Sequence, residues 1–442
     1  MEQSTSTTTV KIGLFTAISL VIANQIGTGV FTSLGFQVAT IPSVFPLLML
    51  WVVGGIIALC GALSYGELGA ALPRSGGEYH LLTTIYHPIL GYLSGWVSAI
   101  LGFAAPTALA AIALSKYTQA VFPEVPGDHL AALVVVIISM IHIQSLRWGS
   151  LFQDVFTIIK VLLILFFIAA VFWVDQPQSI RVLPQWQDMQ LVTSSNFAVA
   201  LIYVSYAYTG WNAAIYIVDE IKSPLKNLPK ALFIGTLTVL ILYVLLNFVF
   251  LYTVPMSDLS GVVEIAFPSA VVIFGISGGK IMALIIAILL ISTVSAMVFV
   301  GPRITMVMGQ DLPALRFFAY KNRNNIPTYA IVIQAVVTLA FIYTSSFEQV
   351  LIYASFMLVL FTTLTVMGVF VLRITRPNLP RPYKTWGYPF TPALYLALSS
   401  WTLVYVFIDK PKESLIGIAI GLSGLVVYFF NWYLHKRKTK AS

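Results

Sequence analysis

The chain has 442 residues, 59% of them hydrophobic and only 9% charged, with a mean hydropathy of +0.91. A soluble domain carries about 25% charged residues, so the composition excludes that class and describes a polytopic membrane protein. The net charge of +8 raises the question of a nucleic-acid partner, and the lone Cys60, inside an apolar stretch, excludes an internal disulfide.

Met1–Val10 is polar and lacks the basic start and cleavage site of a signal peptide, so the first span is expected to remain in the mature protein. Apolar stretches of spanning length follow at about 12–33, 45–71, 90–121, 130–146, 149–173, 196–221, 230–254, 279–308, 328–344, 348–373, 388–408 and 413–435. Twelve spans put both termini on one side. If that side is the cytoplasm, inward segments hold eighteen Lys and Arg residues and outward ones only five, namely Lys116, Arg181, Lys280, Lys410 and Lys412. This positive-inside bias sets the orientation, with both termini cytoplasmic in a cell (inner) membrane. It also accounts for the basic charge with no nucleic-acid partner.

Span 1 is interrupted halfway by Gln25-Ile26-Gly27-Thr28-Gly29-Val30-Phe31. Glycine weakens a helix, and backbone groups freed in lipid cost several kcal/mol unless something satisfies them. The break is therefore a packing notch or a binding site. Span 2 ends in Tyr65-Gly66-Glu67 and a loop through Pro73, Arg74, Gly76, Gly77 and Glu78. Span 3 is rich in small residues over Ala104–Ala113, which suits either a substrate or tight packing. Lys160 stands near the middle of span 5, where an ammonium costs roughly 2.5–3.5 kcal/mol on insertion scales. About ten apolar residues on either side make snorkelling poor, so Lys160 points to function or to a gate.

Span 6 is interrupted in its middle by Tyr208-Thr209-Gly210-Trp211-Asn212, five spans after the first break. Glycine-interrupted segments at corresponding positions of two halves mark an inverted-repeat transporter. The expected repeats are about 12–173 and 196–373, with additional helices at about 388–435, all in one domain, 1–442. Asp219 and Glu220, followed by Lys222, Pro224 and Pro229, suit either an ionic latch with Glu67, Arg74 and Glu78 or ordinary solvated charge. Between spans 7 and 8, Ser257–Gly279 is too short to span and reads as a helical outer cap. Gly91–Gly95 and Gly417–Gly421 are spaced for close helix packing.

A zwitterion needs an anion site and a cation site a short distance apart. A half-helix starting at mid-membrane presents free N–H groups, and one ending there presents carbonyls. Spans 1 and 6 carry no charged side chain near their breaks, which disfavours a ligand with a further cationic group.

The residues now resemble a known family. Gly27-Thr28-Gly29-Val30-Phe31, the Tyr65-Gly66-Glu67 to Glu78-Tyr79 run, Gln153-Asp154 with Phe156 and Lys160, Tyr206 to Asn212 with its Asp219-Glu220 tail, Gly301-Pro302-Arg303 and Arg381-Pro382-Tyr383-Lys384 resemble the amino acid–polyamine–organocation transporters. The branch they resemble is that of the L-type amino-acid transporters and their bacterial homologues. The resemblance implies a twelve-helix LeuT-type fold, a 5+5 inverted repeat plus two helices, working by alternating access. It implies that amides at Thr28 and Gly29, beside Gly27 and helped by the Thr28 hydroxyl, meet the substrate carboxylate. Carbonyls of Gln25, Tyr206, Ala207 and Thr209 would meet its amino group, Tyr206 would be an aromatic gate, and Lys160 would replace a sodium ion. Asn24, Gln25 and the Tyr206 hydroxyl depart from many relatives, which leaves Asn24 and Asn212 as candidates for specificity.

The function expected is sodium-independent transport of small or medium neutral amino acids, by exchange or with protons. Cationic amino acids or polyamines are the alternative. An integral membrane enzyme is disfavoured because His80, His87, His129, His142 and His435 are scattered without metal spacing, and no cofactor or metal is expected. A channel would need a continuous polar lining. Vertebrate members of the branch resemble light chains joined to a glycoprotein through a cysteine between spans 3 and 4. The loop here, Phe122–His129, has none, so no disulfide-linked heavy chain is expected, and the partners are the substrate and the bilayer.

Overall fold

The computed structural model describes residues 11–144 and 147–441, with side chains over 11–144, 155–313 and 315–430. Met1–Val10 and the side chains of Arg147, Gln153, Asp154, His435, Lys436, Arg437, Lys438 and Lys440 lie outside the described residues. Among the described residues nine helices are long and apolar enough to cross a membrane. They are span 2 (Val44–Ala71), span 3 (Pro88–Gln119), span 4 (Gly127–Gln144), span 5 (Val155–Trp173 of a longer helix), span 7 (Pro224–Thr253), span 8 (within Ala266–Asp311), span 10 (Phe347–Thr375), span 11 (Phe390–Asp409) and span 12 (from Pro411). Span 9, Thr328–Thr344, is shorter but apolar.

Spans 1 and 6 complete the twelve and are broken. Span 1 runs Leu14–Gln25, then a short turn Gly29–Phe31, then Leu34–Val38. Span 6 runs Ser195–Tyr208, then Ala213–Glu220, with the short helix Trp186–Val192 ahead of it at 63°. The fold is all-helical and polytopic, and the two breaks fall where the glycines predict them.

Two further irregularities have identifiable causes. The outer cap is continuous with span 8, turning into it at Gly275, where φ is +73°. A glycine takes that conformation without the clash an L side chain would meet. In span 3, Ser98–Ala104 is a π-helical segment. It sits just ahead of Pro106, which has no N–H for the carbonyl four residues back, so the ladder is rearranged there.

Span 7 lies along span 2 and the first half of span 1, while span 8 lies along span 3. Gly91 backs onto Tyr79 and Thr83, and Gly417 and Gly421 onto Met357, the packing use their spacing suggests. Ile137 and Met140 of span 4, Ile158 and Leu162 of span 5 and Val404 and Ile408 of span 11 are exposed, as lipid-facing surfaces are.

At the end carrying the basic loops, a buried carboxylate joins three segments. Glu67, at the end of span 2, accepts from Arg373 Nε and Nη2 of span 10 at 2.9 and 2.7 Å. It also accepts from the Thr385 amide and hydroxyl, both at 2.8 Å, and has Arg381 Nε at 3.4 Å. The Arg381 guanidinium in turn donates to the carbonyls of Leu372, Arg376, Pro377 and Leu379, closing the turn between spans 10 and 11. Removing one member of a buried ion pair strands the other, at a cost of roughly 3–5 kcal/mol. Glu67→Ala should therefore lower the unfolding temperature of the purified protein sharply, with Thr385→Ala milder; equal unfolding temperatures for Glu67→Ala and the parent would contradict this role.

Candidate functional site

The two breaks abut in opposite directions. A Cβ on Gly29 would stand 2.7 Å from Ala207 Cβ, and one on Gly210 would stand 2.6 Å from the Asn24 carbonyl oxygen. Asn24 therefore faces position 210 while Gly29 faces position 207, an antiparallel contact that only glycine at 29 and 210 permits. Gly210 also has φ +101°, a conformation that favours glycine a second time.

The backbone groups at this contact divide by sign. At the span 1 break the amides of Thr28, Gly29 and Val30 have no acceptor among the described residues. At the span 6 break the carbonyls of Ala207, Tyr208 and Thr209 receive no donor among the described residues. Free donors and free acceptors thus meet at one place, with no charged side chain on either break.

A cavity of about 210 Å³, measured as room for the centres of water-sized molecules, lies against both breaks. Asn24, Gln25, Gly27, Thr28 and Gly29 line it from span 1, and Tyr206, Ala207, Thr209 and Asn212 from span 6. Ser98, Gly102 and Phe103 line it from the π segment of span 3, Thr293 and Met297 from span 8, and Thr362 from span 10. The cavity extends toward the basic end, where Glu78 and Tyr216 join its wall. The opposite end is sealed by packing. Tyr117 OH donates to Phe31 O at 2.8 Å, Ser33 Oγ donates to Tyr203 O at 3.2 Å, and the Phe36 ring stacks on Tyr203 and Phe347 at 5.5 and 5.9 Å.

Several side chains sit differently from their expected roles. The Gln25 carbonyl already accepts from the Gly27 amide at 2.8 Å and from Tyr243 OH at 2.6 Å. Its two lone pairs are used, so it does not await an ammonium. The Tyr206 carbonyl accepts from the Thr209 amide at 3.0 Å, which leaves it one lone pair. Gln25 O is thus occupied, Tyr206 O is half used, and the carbonyls of Ala207, Tyr208 and Thr209 remain without a donor among the described residues. The Thr28 hydroxyl shares a 2.8 Å hydrogen bond with Tyr206 OH, which ties the Tyr206 ring to span 1. The Thr209 hydroxyl donates back to Ser205 O, and Asn24 Nδ2 donates to Leu20 O.

Lys160 is buried, and its Nζ donates to Thr293 Oγ1 of span 8 at 2.7 Å. Thr293 lines the cavity and its methyl group is the nearest neighbour of a notional Cβ at Gly27, at 3.9 Å. The ammonium thus stands one side chain behind the wall, between span 8 and the span 1 break.

Loop charge is arranged otherwise than as a latch of acids against bases. Asp219 Oδ2 accepts from the Ser75 amide, and Ser75 Oγ from the Asp219 amide. The Glu220 carbonyl accepts from the Ile12 amide, and the Lys222 amide donates to Ile12 O, tying the start of span 1 to the end of span 6 through backbone alone. Among the described residues Arg74 forms no ion pair, and Glu67 pairs with Arg373 and Arg381. The short helix Gly77–Ile85 holds Glu78 buried and Tyr79 hydrogen-bonded through its hydroxyl to Asp311 at 2.8 Å. Burial, and then the Asp311 carboxylate, push the Tyr79 phenol well above its ordinary range.

Tyr243 and the reach of Glu78 escape a reading of the sequence. For Tyr243 there is a signal, since Tyr243 and Asn247 are polar groups one turn apart in the apolar stretch from Val239 to Leu251. For Glu78 there is none, because its contacts come from residues far away in the chain.

A family model described as amino acid permease matches residues 12–432. The large neutral amino acids transporter small subunit 2 of Homo sapiens is 30% identical over 446 residues, covering 97% of this chain and 82% of that one. The same-named protein of Mus musculus matches equally, at 30% over 97% and 82%. The b(0,+)-type amino acid transporter 1 of Homo sapiens is 30% identical over 442 residues, covering 97% and 89%.

The close contact of the breaks makes a graded prediction. Gly29→Ala and Gly210→Ala each force a Cβ into packed backbone and should cost roughly 1–3 kcal/mol. Gly27→Ala meets nothing nearer than 3.9 Å and should unfold with the parent. Thermal unfolding of the three purified variants checks the order; a Gly27 variant as unstable as the Gly29 one would count against this geometry.

Proposed function

The chain belongs to the amino acid permease family, within the amino acid–polyamine–organocation superfamily and close to its L-type branch, and from that premise we propose that it carries neutral amino acids across the membrane by alternating access. The observation that carries the reading is the meeting of free amides at Thr28–Val30 with free carbonyls at Ala207–Thr209 beside one cavity. A carboxylate suits the first set and an ammonium the second, and both gain from replacing a missing partner in a water-poor site. The side chain of the substrate then lies among Ser98, Gly102, Phe103 and Met297, a mixed wall suited to small or medium neutral groups.

Sodium independence rests on Lys160. A fixed ammonium bonded to Thr293 and near the span 1 break supplies the positive charge that a bound cation would supply. The carrier is one transmembrane domain, with five-span repeats at about 12–173 and 196–373 followed by spans 11 and 12. Its basic loops and both termini face the cytoplasm under the positive-inside rule. It works without a disulfide-linked partner, since Cys60, its one cysteine, is buried in span 2.

One observation favours a second reading, in which cationic amino acids are carried: the Glu78 carboxylate lines the cavity. Its oxygens already receive Tyr65, Asn212 and Tyr216, which supports the neutral class over this one.

Two measurements test the reading. A thermal-shift screen against the twenty amino acids should show stabilisation by neutral ones, because a ligand that binds only the folded state raises its stability by mass action; lysine and arginine alone as stabilisers would reverse the order of the two readings. In proteoliposomes, uptake of a labelled stabilising amino acid should be the same in potassium as in sodium. Lys160→Ala should cut that uptake roughly tenfold or more, the worth of a buried charged hydrogen bond, while loss of uptake on removing sodium from the parent would remove the cation-replacement role.

A further inference from the structure

Among the described residues Glu78 is the one carboxylate on the cavity wall, and neither set of free backbone groups needs it. It belongs to the short helix Gly77–Ile85, which is entered through Gly76 and Gly77 at φ +129° and +57°. That turn, open to glycine, folds the first residues of the helix into the bundle, and Glu78 is 4% exposed. Oε1 accepts from Tyr65 OH of span 2 at 2.9 Å and from Asn212 Nδ2, and Oε2 accepts from Tyr216 OH. Among the described residues no Lys, Arg or His pairs with it. Two of its three donors therefore lie on consecutive turns of the inner half of span 6, Ala213–Glu220 and its leading residue Asn212.

The backbone of that inner half is irregular. It is 3-10 rather than α-helical, with Ile217 off helical geometry at φ −127° and ψ 27°. Its far end is joined to the start of span 1 by the Ile12–Ile221 bridge and to Ser75 by Asp219. At its near end, Gly77 packs against the Tyr216 ring so closely that a Cβ would stand 2.6 Å from Cδ1. The Tyr65 ring, the third donor's, meets Trp211 edge-on at 4.7 Å. Residues 211–216 are also held by packing, with Trp211 against Tyr395 and Gly61 and Ile215 against Gly69, but the carboxylate hydrogen bonds over the basic end of the cavity converge on Glu78.

We propose that Glu78 is a positioning residue that clamps the inner half of span 6 over the cavity, and that release of this clamp is the step opening the cavity toward the basic side. The inference rests on the reading of the cavity as the substrate path. A carboxylate without a cationic partner suits a clamp of this kind. It stays buried only while three donors satisfy it. As the inner half of span 6 swings away, water entering at that end replaces the Asn212 and Tyr216 donors at little net cost. An ion pair would hold more firmly and leave a stranded charge on opening. The same bonds place Asn212, the residue that begins the inner half-helix, and so fix the distance between the two halves of span 6 at the binding carbonyls.

The test uses a single reporter thiol. In a Cys60→Ser background, Met297→Cys places a thiol on the cavity wall, and a membrane-impermeant maleimide is applied from the basic-loop side of inside-out vesicles. Glu78→Ala should raise the labelling rate about fivefold or more, the factor carried by one hydrogen bond of ordinary strength. Tyr216→Phe, which keeps the ring and removes one donor, should raise it by a smaller factor, and Glu78→Asp should fall between Glu78→Ala and the parent. Tyr216→Phe keeps the proposal testable if Glu78→Ala fails to fold. Unchanged labelling in every folded variant overturns the clamp, as does a loss of amino-acid affinity in Glu78→Ala with labelling unchanged, which would make Glu78 a substrate contact. Protection of the thiol by a saturating neutral amino acid in the parent separately tests the substrate reading: its absence sinks that reading, while the labelling rates still decide the clamp.

Discussion

The structure depends on one close contact: two interrupted helices crossing where Gly29 meets Ala207 and Gly210 meets the Asn24 carbonyl. A continuous helix spends its N–H and C=O groups on itself, which is why helices can cross lipid at all. Interrupting one inside the membrane strands several of these groups, and stranding them on two helices at one point concentrates both signs of partial charge there. The cost is tolerable because each half-helix is buried in protein. Span 7 supports the first break through the Tyr243 hydroxyl on Gln25 O, and the Thr28–Tyr206 hydroxyl pair ties the breaks together. What remains free is a short row of amides opposite a short row of carbonyls, the complement of an amino acid's two charges.

The two ends of the path are closed by different chemistry. Away from the basic loops the seal is aromatic and backbone-based, with Phe36 stacked between Tyr203 and Phe347, and Tyr117 bridging Phe31 O and the Ala266 amide. Toward the basic loops the closure is a network of side-chain hydrogen bonds around Glu78. Beside it, the Glu67 junction binds span 2, span 10 and the turn before span 11 into one unit. A charged, multiply bonded junction resists separation, whereas a carboxylate held by neutral donors near water exchanges them readily. The two glutamates, eleven positions apart in sequence, are thus suited to opposite tasks, Glu67 to holding fixed and Glu78 to letting go.

Much of this was legible in the residues and some was not, for reasons that differ by case. The breaks at Gly27–Gly29 and Gly210 stand out because glycine pairs at mid-span conflict with the local preference of an apolar helix. Lys160 is conspicuous because a charge in hydrocarbon demands an explanation. The use of the Gln25 carbonyl by Tyr243 and the pairing of Glu67 with Arg373 and Arg381 depend on neighbours brought together from elsewhere in the chain. The π segment of span 3 left a partial sign in Pro106, but a proline also suits an ordinary kink.

By itself the sequence determined the class of the protein, the number of its spans, the placement of its basic loops and the pairing of breaks in spans 1 and 6. These follow from hydropathy, charge and local backbone preference, which act over one helix length. Only the tertiary structure decided which backbone groups at the breaks stay free, that Lys160 donates to Thr293, and that Glu78 reaches the cavity. Hydrogen bonds saturate, so whether a donor or acceptor remains available is set by the partner that arrives first, and here those partners lie up to 218 positions away, as Tyr243 does from Gln25.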